Sequence, residues 1–430
     1  MAAGMKKDSA KRQQKATILA ILIPALILML LSLCVAVFWS EHDPQLYVRE
    51  TQAQAESSPQ TEPVSETESQ TQKEDRKELQ QAKGVLEDMT LEEKVAQLFM
   101  ITPEALTGVD QATAAGNATR EAYEKYPVGG LIYFEQNILT EEQLKGMLSN
   151  MKEITRRKSG VAAFLAVDEE GGTVARLANQ ESLDVENTGS PGEIAKAGDP
   201  QKALEAGETM GSYLKEYGFD VDFAPVADVL DSADNEVIGN RSFGTDVQLV
   251  SGMVKQMVLG LQAQGVSAVL KHFPGHGSTS EDTHESSAKT DKTIEELKSK
   301  DLLPFQAGIE AGADFVMVGH LSAPAAGGED VPAAFSRTLV TQVLREQMGF
   351  EGIIITDALN MSAITEENTS EEAAVRALQA GVDMLLMPED FTMAYQGVLD
   401  AVERGELTEE RIDASVLRIM TRKFQKQKSA

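Results

Sequence analysis

Between Lys271 and Glu285 the chain reads KHFPGHGSTSEDTHE, which gathers His272, His276 and His284, three of its five histidines, with Asp282. Four chemistries compete for such a stretch. Imidazole and carboxylate suit zinc or iron, but the spacing follows no established ligand pattern and Lys271 would set a positive charge beside the ion, so no metal or other cofactor is expected. A phosphate cradle is disfavoured because Pro274 removes an amide donor and no helix clearly opens there. A purely structural loop stays open. The preferred reading is acid/base work: Asp282 and His284 are two apart, so an extended segment puts both side chains on one face, where the carboxylate orients the imidazole and holds its proton near neutral pH. Gly275 and Gly277 give the segment freedom to bring His284 in once a substrate is bound. Asp357, between Thr356 and Ala358, is the candidate nucleophile to match it.

These side chains need elements to hold them. Past Gly84 short apolar runs alternate with amphipathic stretches of helical period, and eight runs read as strands: Gln97–Ile101, Gly130–Phe134, Ala163–Val167, Val221–Ala224, Ala268–Lys271, Phe315–Val318, Ile353–Thr356 and Met384–Met387. Helices are expected over Glu141–Arg157, Pro200–Tyr217, Gln248–Gln264, Ile294–Gly312, Leu339–Met348 and Glu371–Ala380, several stopped by a glycine such as Gly218, Gly265 or Gly381. All-apolar strands alternating with helices imply a parallel sheet, and eight units fit a closed (β/α)8 TIM barrel of the α/β class better than an open doubly wound sheet. Barrel sites are built at the C-terminal ends of the strands. Asp168, Lys271, His272, His320 and Asp357 all fall at such ends. The segment Thr392–Lys423 reads as helices that complete the barrel.

Five motifs in this order resemble the family 3 glycoside hydrolases, in the β-N-acetylglucosaminidase branch. They are Asp168-Glu169-Glu170-Gly171-Gly172 with Arg176, FAPVAD from Phe223, VIGNRSFG from Val237, KHFPGHG with its downstream Asp282-Thr283-His284, and IITDALNM from Ile354. The resemblance runs from about Leu91 to the end of the eighth unit. It implies a retaining exo-β-N-acetylhexosaminidase that removes N-acetylglucosamine from cell-wall fragments, with Asp357 as nucleophile and His284, paired with Asp282, as acid/base. It also implies that Asp168, Arg176, Arg241, Lys271 and His272 hold the sugar, with His320 either near the sugar or supporting the loop of His284. A histidine dyad departs from the usual two-carboxylate design. Because a neutral base does not repel an anionic acceptor, a phosphorylase is the alternative, as is a β-glucosidase on the same scaffold. A wall-binding protein without catalysis would have replaced Asp282, His284 or Asp357, and none is replaced. Thr173 stands where the family often has arginine, and Thr283 where it often has serine. About forty residues follow the eighth strand, so the α/β sandwich domain of many relatives is not expected here.

Composition narrows the partners. With 39 Lys+Arg against 68 Asp+Glu the formal charge is −29, which excludes nucleic acid as a ligand held by charge. A single cysteine, Cys34, excludes an intrachain disulfide, a cysteine zinc site and an iron–sulfur cluster. Aromatic residues make up 5%, so short disaccharides or muropeptides are expected rather than long stacked polysaccharides.

Thr17–Trp39 carries no charge, is long enough to cross a bilayer, and follows Lys6, Lys7, Lys11, Arg12 and Lys15 within the basic segment 1–16. The expectation is an uncleaved anchor with everything after it outside the cell; a cleaved signal or lipidation at Cys34 is the lesser reading. Residues 40–83, rich in Glu, Gln, Ser and Thr, read as a disordered acidic linker, which leaves 84–430 as the catalytic domain.

Overall fold

The computed structural model describes residues 70–231, 238–277, 279 and 288–428. All of them belong to one compact unit that begins at Gln70. The run Thr17–Trp39 lies outside the described residues, and among those described no helix is long and apolar enough to cross a membrane.

Among the described residues ten strands occur in chain order: β1 (Phe99–Ile101), β2 (Gly130–Ile132), β3 (Phe164–Val167), β4 (Glu169–Gly171), β5 (Val174–Ala175), β6 (Val221–Asp222), β7 (Ser267–Phe273), β8 (Phe315–Val318), β9 (Ile353–Thr356) and β10 (Leu385–Leu386). Eight form one sheet in the order β10-β1-β2-β3-β6-β7-β8-β9, every pairing parallel. Its two ends meet at one parallel bridge, Ile355 with Met384, so the barrel is nearly closed. Each of these eight strands coincides with an apolar run read from the sequence, because a strand covered on both faces needs no polar alternation.

Packing explains the closure. Phe164 of β3 and Phe315 of β8, on strands that are not neighbours, meet edge to face with ring centroids 5.4 Å apart, filling the interior between them. Outside, the helices Gln201–Tyr217 and Val247–Ala263 cross at glycine: a Cβ on Gly260 would stand 2.5 Å from the carbonyl oxygen of Leu204. Only a residue without a side chain allows that approach, and the second of these helices packs against β7, the strand it precedes.

Three features depart from the sequence reading. β4 and β5 make a short antiparallel hairpin directly after β3, hidden in the sequence because EEGGTVA contains no apolar run. The helix expected over Ile294–Gly312 is two, Ile294–Ser299 and Leu302–Glu310, parted where the buried Asp301 turns inward to take Lys292 Nζ at 3.0 Å. Third, the linker does not extend to residue 83. A helix spans Gln70–Asp88, and its Glu78 and Ala82 are buried. It lies along the last helix, Glu409–Lys428, where Gln425 Nε2 donates to Asp75 Oδ1 at 3.1 Å. Its polar, low-hydropathy sequence concealed one buried stripe.

Candidate active site

Three acids in a row, Asp168, Glu169 and Glu170, follow β3, and strand alternation sends them to different places. Glu169 is buried in the wall, where its carboxylate accepts the N–H of Leu177 at 2.8 Å, the N–H of Ala178 at 2.9 Å and the hydroxyl of Tyr213 at 2.9 Å. Glu170 turns to the other side and is also buried. There Arg241 donates to both its oxygens, Nε to Oε2 at 2.8 Å and Nη2 to Oε1 at 2.7 Å, and Lys271 Nζ stands 2.6 Å from Oε1. Burial would raise the Glu170 carboxyl, but the charges of Lys271 and Arg241 outweigh it and hold the group down to about 2.

Lys271 also reaches Asp168 Oδ1 at 2.8 Å. Its own burial favours the neutral amine, yet the two carboxylates overcome this and raise its pKa. The ammonium is therefore a permanent donor rather than a base. Asp168 is half-buried directly after β3 and offers its remaining acceptor capacity towards the barrel mouth.

His272 follows Lys271 in β7. Its Nδ1 lies 2.8 Å from Oδ2 of Asp228, a fully buried acid that closes the FAPVAD stretch. Asp228 Oδ1 accepts the backbone N–H of His272 at 3.2 Å and of His276 at 2.7 Å. Burial opposes its charge, but His272 and these bonds keep Asp228 below the usual carboxylate range.

Asp357 stands immediately after β9, half-buried, with its N–H on the carbonyl of Val318 at 2.8 Å and its Oδ1 accepting the N–H of Ala358 at 2.8 Å. Burial pushes its pKa up. The charges at His272 and His320, the Ala358 amide and Lys271 together push it further down, so the group is a carboxylate at neutral pH. His320 is buried two residues past β8, and its Nε2 bonds the carbonyl oxygen of Ala358 at 2.9 Å. That contact supports the turn that carries Asp357.

The structure thus brings together Asp168, Lys271, His272, Arg241, His320 and Asp357 at one end of the sheet. Arg176 is set apart from the ion cluster. Its Nη1 pairs with Glu135 Oε1 at 2.6 Å, its guanidinium lies over the Phe134 ring at 5.7 Å, and among the described residues its buried Nε has no partner. Asp282 and His284 lie outside the described residues. The residues next to that segment are fixed: Gly277 O accepts Asp231 N–H at 3.0 Å and Ala288 O accepts Ser322 N–H at 2.9 Å. Among the described residues no group of His, Cys, Asp and Glu is arranged to hold a metal ion.

Two participants escaped the sequence reading. Glu170 and Asp228 both lie inside motifs singled out there, but an acid's role as a buried counter-ion is set by which way its side chain turns. The signal for Glu170 was its position two residues after Asp168 in a run of acids at a strand end.

Residues 90–422 match the glycosyl hydrolase family 3 N terminal domain. The chain belongs to glycosyl hydrolase family 3. It is 32% identical over 321 residues to the beta-hexosaminidase A of Pseudoalteromonas piscicida, a stretch that is 70% of this chain and 54% of that protein. It is 36% identical over 290 residues to a beta-hexosaminidase of Hydrogenovibrio crunogenus, covering 66% of this chain and 79% of that one. Among solved structures, a family 3 beta-N-acetylglucosaminidase from Paenibacillus superposes with a TM-score of 0.74 at 35% identity, over 79% of this chain and 63% of that one. The chain therefore spans little more than half of the Pseudoalteromonas relative and under two thirds of the Paenibacillus structure.

Proposed function

We propose that this family 3 member is a retaining exo-β-N-acetylglucosaminidase acting on short N-acetylglucosamine-containing cell-wall saccharides or muropeptides. One observation carries the reading: Asp357 is an ionised carboxylate at a rigid strand end, faced by His272, His320 and Lys271 and set beside a neutralised platform of Asp168, Glu170, Lys271 and Arg241. A sugar hydrogen-bonded to that platform presents its anomeric carbon to Asp357. The beta-hexosaminidase names of its relatives support an acetamido sugar as substrate.

In this mechanism Asp357 attacks the anomeric carbon as the protonated imidazole of His284 gives its proton to the departing oxygen, and an oxocarbenium-like transition state collapses to a glycosyl ester on Asp357. Neutral His284, oriented by Asp282, then takes a proton from water, which displaces the ester and regenerates the carboxylate. Asp168 and Lys271 are assigned to hydroxyls of the sugar, and Arg241, His272 and Arg176 to the remainder of the ring and its substituents. Arg176 must leave Glu135, or bind the substrate from where it stands, to take that part.

We place the reaction outside the cell membrane. The support is the uncharged run Thr17–Trp39 with its preceding cluster of lysines and arginine.

The full chain is expected to release the chromophore of an aryl β-N-acetylglucosaminide, and Asp357→Asn to be slower by at least about a thousandfold, since covalent catalysis is lost with its carboxylate. Turnover of aryl β-glucosides without turnover of the acetamido sugar would overturn the substrate assignment.

A further inference from the structure

Asp228 is fully buried, and a carboxylate taken out of water is destabilising unless its partners offset the lost hydration. Among the described residues, the three hydrogen bonds to its carboxylate all come from the segment that carries the site: His272 Nδ1 at 2.8 Å, His272 N at 3.2 Å and His276 N at 2.7 Å. Among the described residues its ion-pair partner is His272, with no lysine or arginine on it. Since the carboxylate accepts at Nδ1, that nitrogen carries the proton, and any bond from this ring to a substrate must be made by Nε2.

The ring stands near the end of β7, and Asp357 follows β9, with β8 between them. Above β8 the chain has Gly319, where a Cβ would stand 3.2 Å from the Cβ of His272. A side chain there would press on His272, so the glycine leaves the imidazole its place. Asp357 is faced by His272 and Lys271 from β7, by His320 from the turn after β8 and by His276 from the loop after β7, while Asp168, Glu170 and Arg241 surround Lys271.

We propose that Asp228 is a positioning residue of the glycosyl-transfer reaction, which fixes the orientation and the Nδ1 proton of His272 beside Asp357. The inference rests on Asp357 being the nucleophile, and it goes beyond that reading by adding a residue that never touches the sugar.

Asp228→Asn is the direct test, because the amide keeps the volume but cannot accept from Nδ1–H in the same way. The acid limb of kcat/KM is expected to move up by about one pH unit, because the buried imidazole without its carboxylate partner no longer holds a positive charge beside Asp357. His272→Gln is expected to move the limb in the same direction, and Asp228→Asn added to His272→Gln to move it no further. A purely structural Asp228 would lower the melting temperature and leave the limb where it was. That result overturns the proposal, as does a shift from Asp228→Asn that persists undiminished in the His272→Gln background. Should Asp228→Asn not fold, an unmoved limb in His272→Gln overturns it equally. If the parent chain turned over no glycoside at all, the functional reading would fall on its own. The carboxyl 13C titration of Asp357, identified by its absence in Asp357→Asn, would still decide the positioning role: an upward shift in Asp228→Asn supports it and an unmoved titration overturns it.

Discussion

Arg241 and Glu170 meet through two parallel hydrogen bonds, at 2.8 and 2.7 Å, deep at the mouth of the barrel, and Lys271 completes the same carboxylate at 2.6 Å. Bidentate geometry makes this pair rigid as well as strong. One buried anion therefore sets the place of two cations that the proposed function assigns to the substrate. Glu170→Gln keeps the shape and removes the charge, which leaves half-buried Arg241 against a neutral amide and buried Lys271 with Asp168 as its one remaining carboxylate among the described residues. The expected cost is about 3–5 kcal/mol of folding stability, read by chemical denaturation. kcat/KM is expected to fall at least about a hundredfold in the same protein, as substrate donors lose their aim. A variant with the parent's midpoint and activity would show that the ion cluster has no such role.

Gly277 tests the anchoring of the segment that carries Asp282 and His284. A Cβ at this position would collide with the backbone carbonyl of Val229, in the loop after β6 that bonds Gly277 O through Asp231 N–H. Gly277→Ala is expected to lower kcat by more than about tenfold, because misplacing a proton donor by an ångström is costly, while the circular dichroism spectrum stays that of the parent. Unchanged kcat would mean that the departure of the segment from Gly277 does not position the acid/base pair.

The helix Gln70–Asp88 bears on where the folded unit begins. A fragment starting at residue 84 cuts through it and removes the buried Glu78 and Ala82, whereas a fragment starting at residue 70 keeps the seam with Glu409–Lys428. The longer fragment is expected to be more stable by about 2 kcal/mol or more, from the apolar area it retains. Equal denaturation midpoints for the two would remove this helix from the folding unit.

What the sequence disclosed and what it hid divide along physical lines. Phe315–Val318 and Ile353–Thr356 appear as strands with the same bounds in sequence and structure, because strands buried on both faces read as near-continuous apolar runs, and the one polar member, Thr356, is satisfied by the N–H of Leu386. The rim positions of Asp168, Lys271, His272 and Asp357 follow from the strand runs that they end, in β3, β7 and β9. The hairpin β4 and β5 was not legible, since its residues are chosen for charge and turning rather than for burial of apolar surface. Glu170 and Asp228 were invisible as counter-ions because spacing does not reveal which cation a buried acid meets across the barrel. The pairing of Arg176 with Glu135 was hidden for the same reason: the partners are forty-one positions apart and meet only after folding.

Lys423 gives stability a pH dependence of its own. It is buried beneath the barrel, with Nζ 2.6 Å from Gln97 Oε1 and 5.4 Å from the centre of the Phe164 ring, and no carboxylate within ion-pair distance among the described residues. Burial holds its pKa down to about 7 from 10.5. Between those two values the unfolded chain binds a proton that the folded chain does not, so stability rises with pH across that window; below about 7 both states carry the proton and the penalty is constant. The slope is at most about 1.4 kcal/mol per pH unit. Lys423→Met is expected to lose this slope between pH 7 and 10, measured as the difference in denaturation free energy between the two proteins. A slope shared by both would show that Lys423 stays charged in the fold.

The central claim is that Asp357 becomes covalently glycosylated, and trapping tests it most directly. A fluorinated N-acetylglucosaminyl glycoside that forms the ester quickly and releases it slowly would be incubated with the full chain, followed by proteolysis and peptide mass spectrometry. The expected result is one added sugar mass on the peptide containing Ile354 to Met361, localised by fragmentation to Asp357 and absent from Asp357→Asn. A label on any other residue, or turnover of the glycoside with no covalent adduct on the chain, would contradict it.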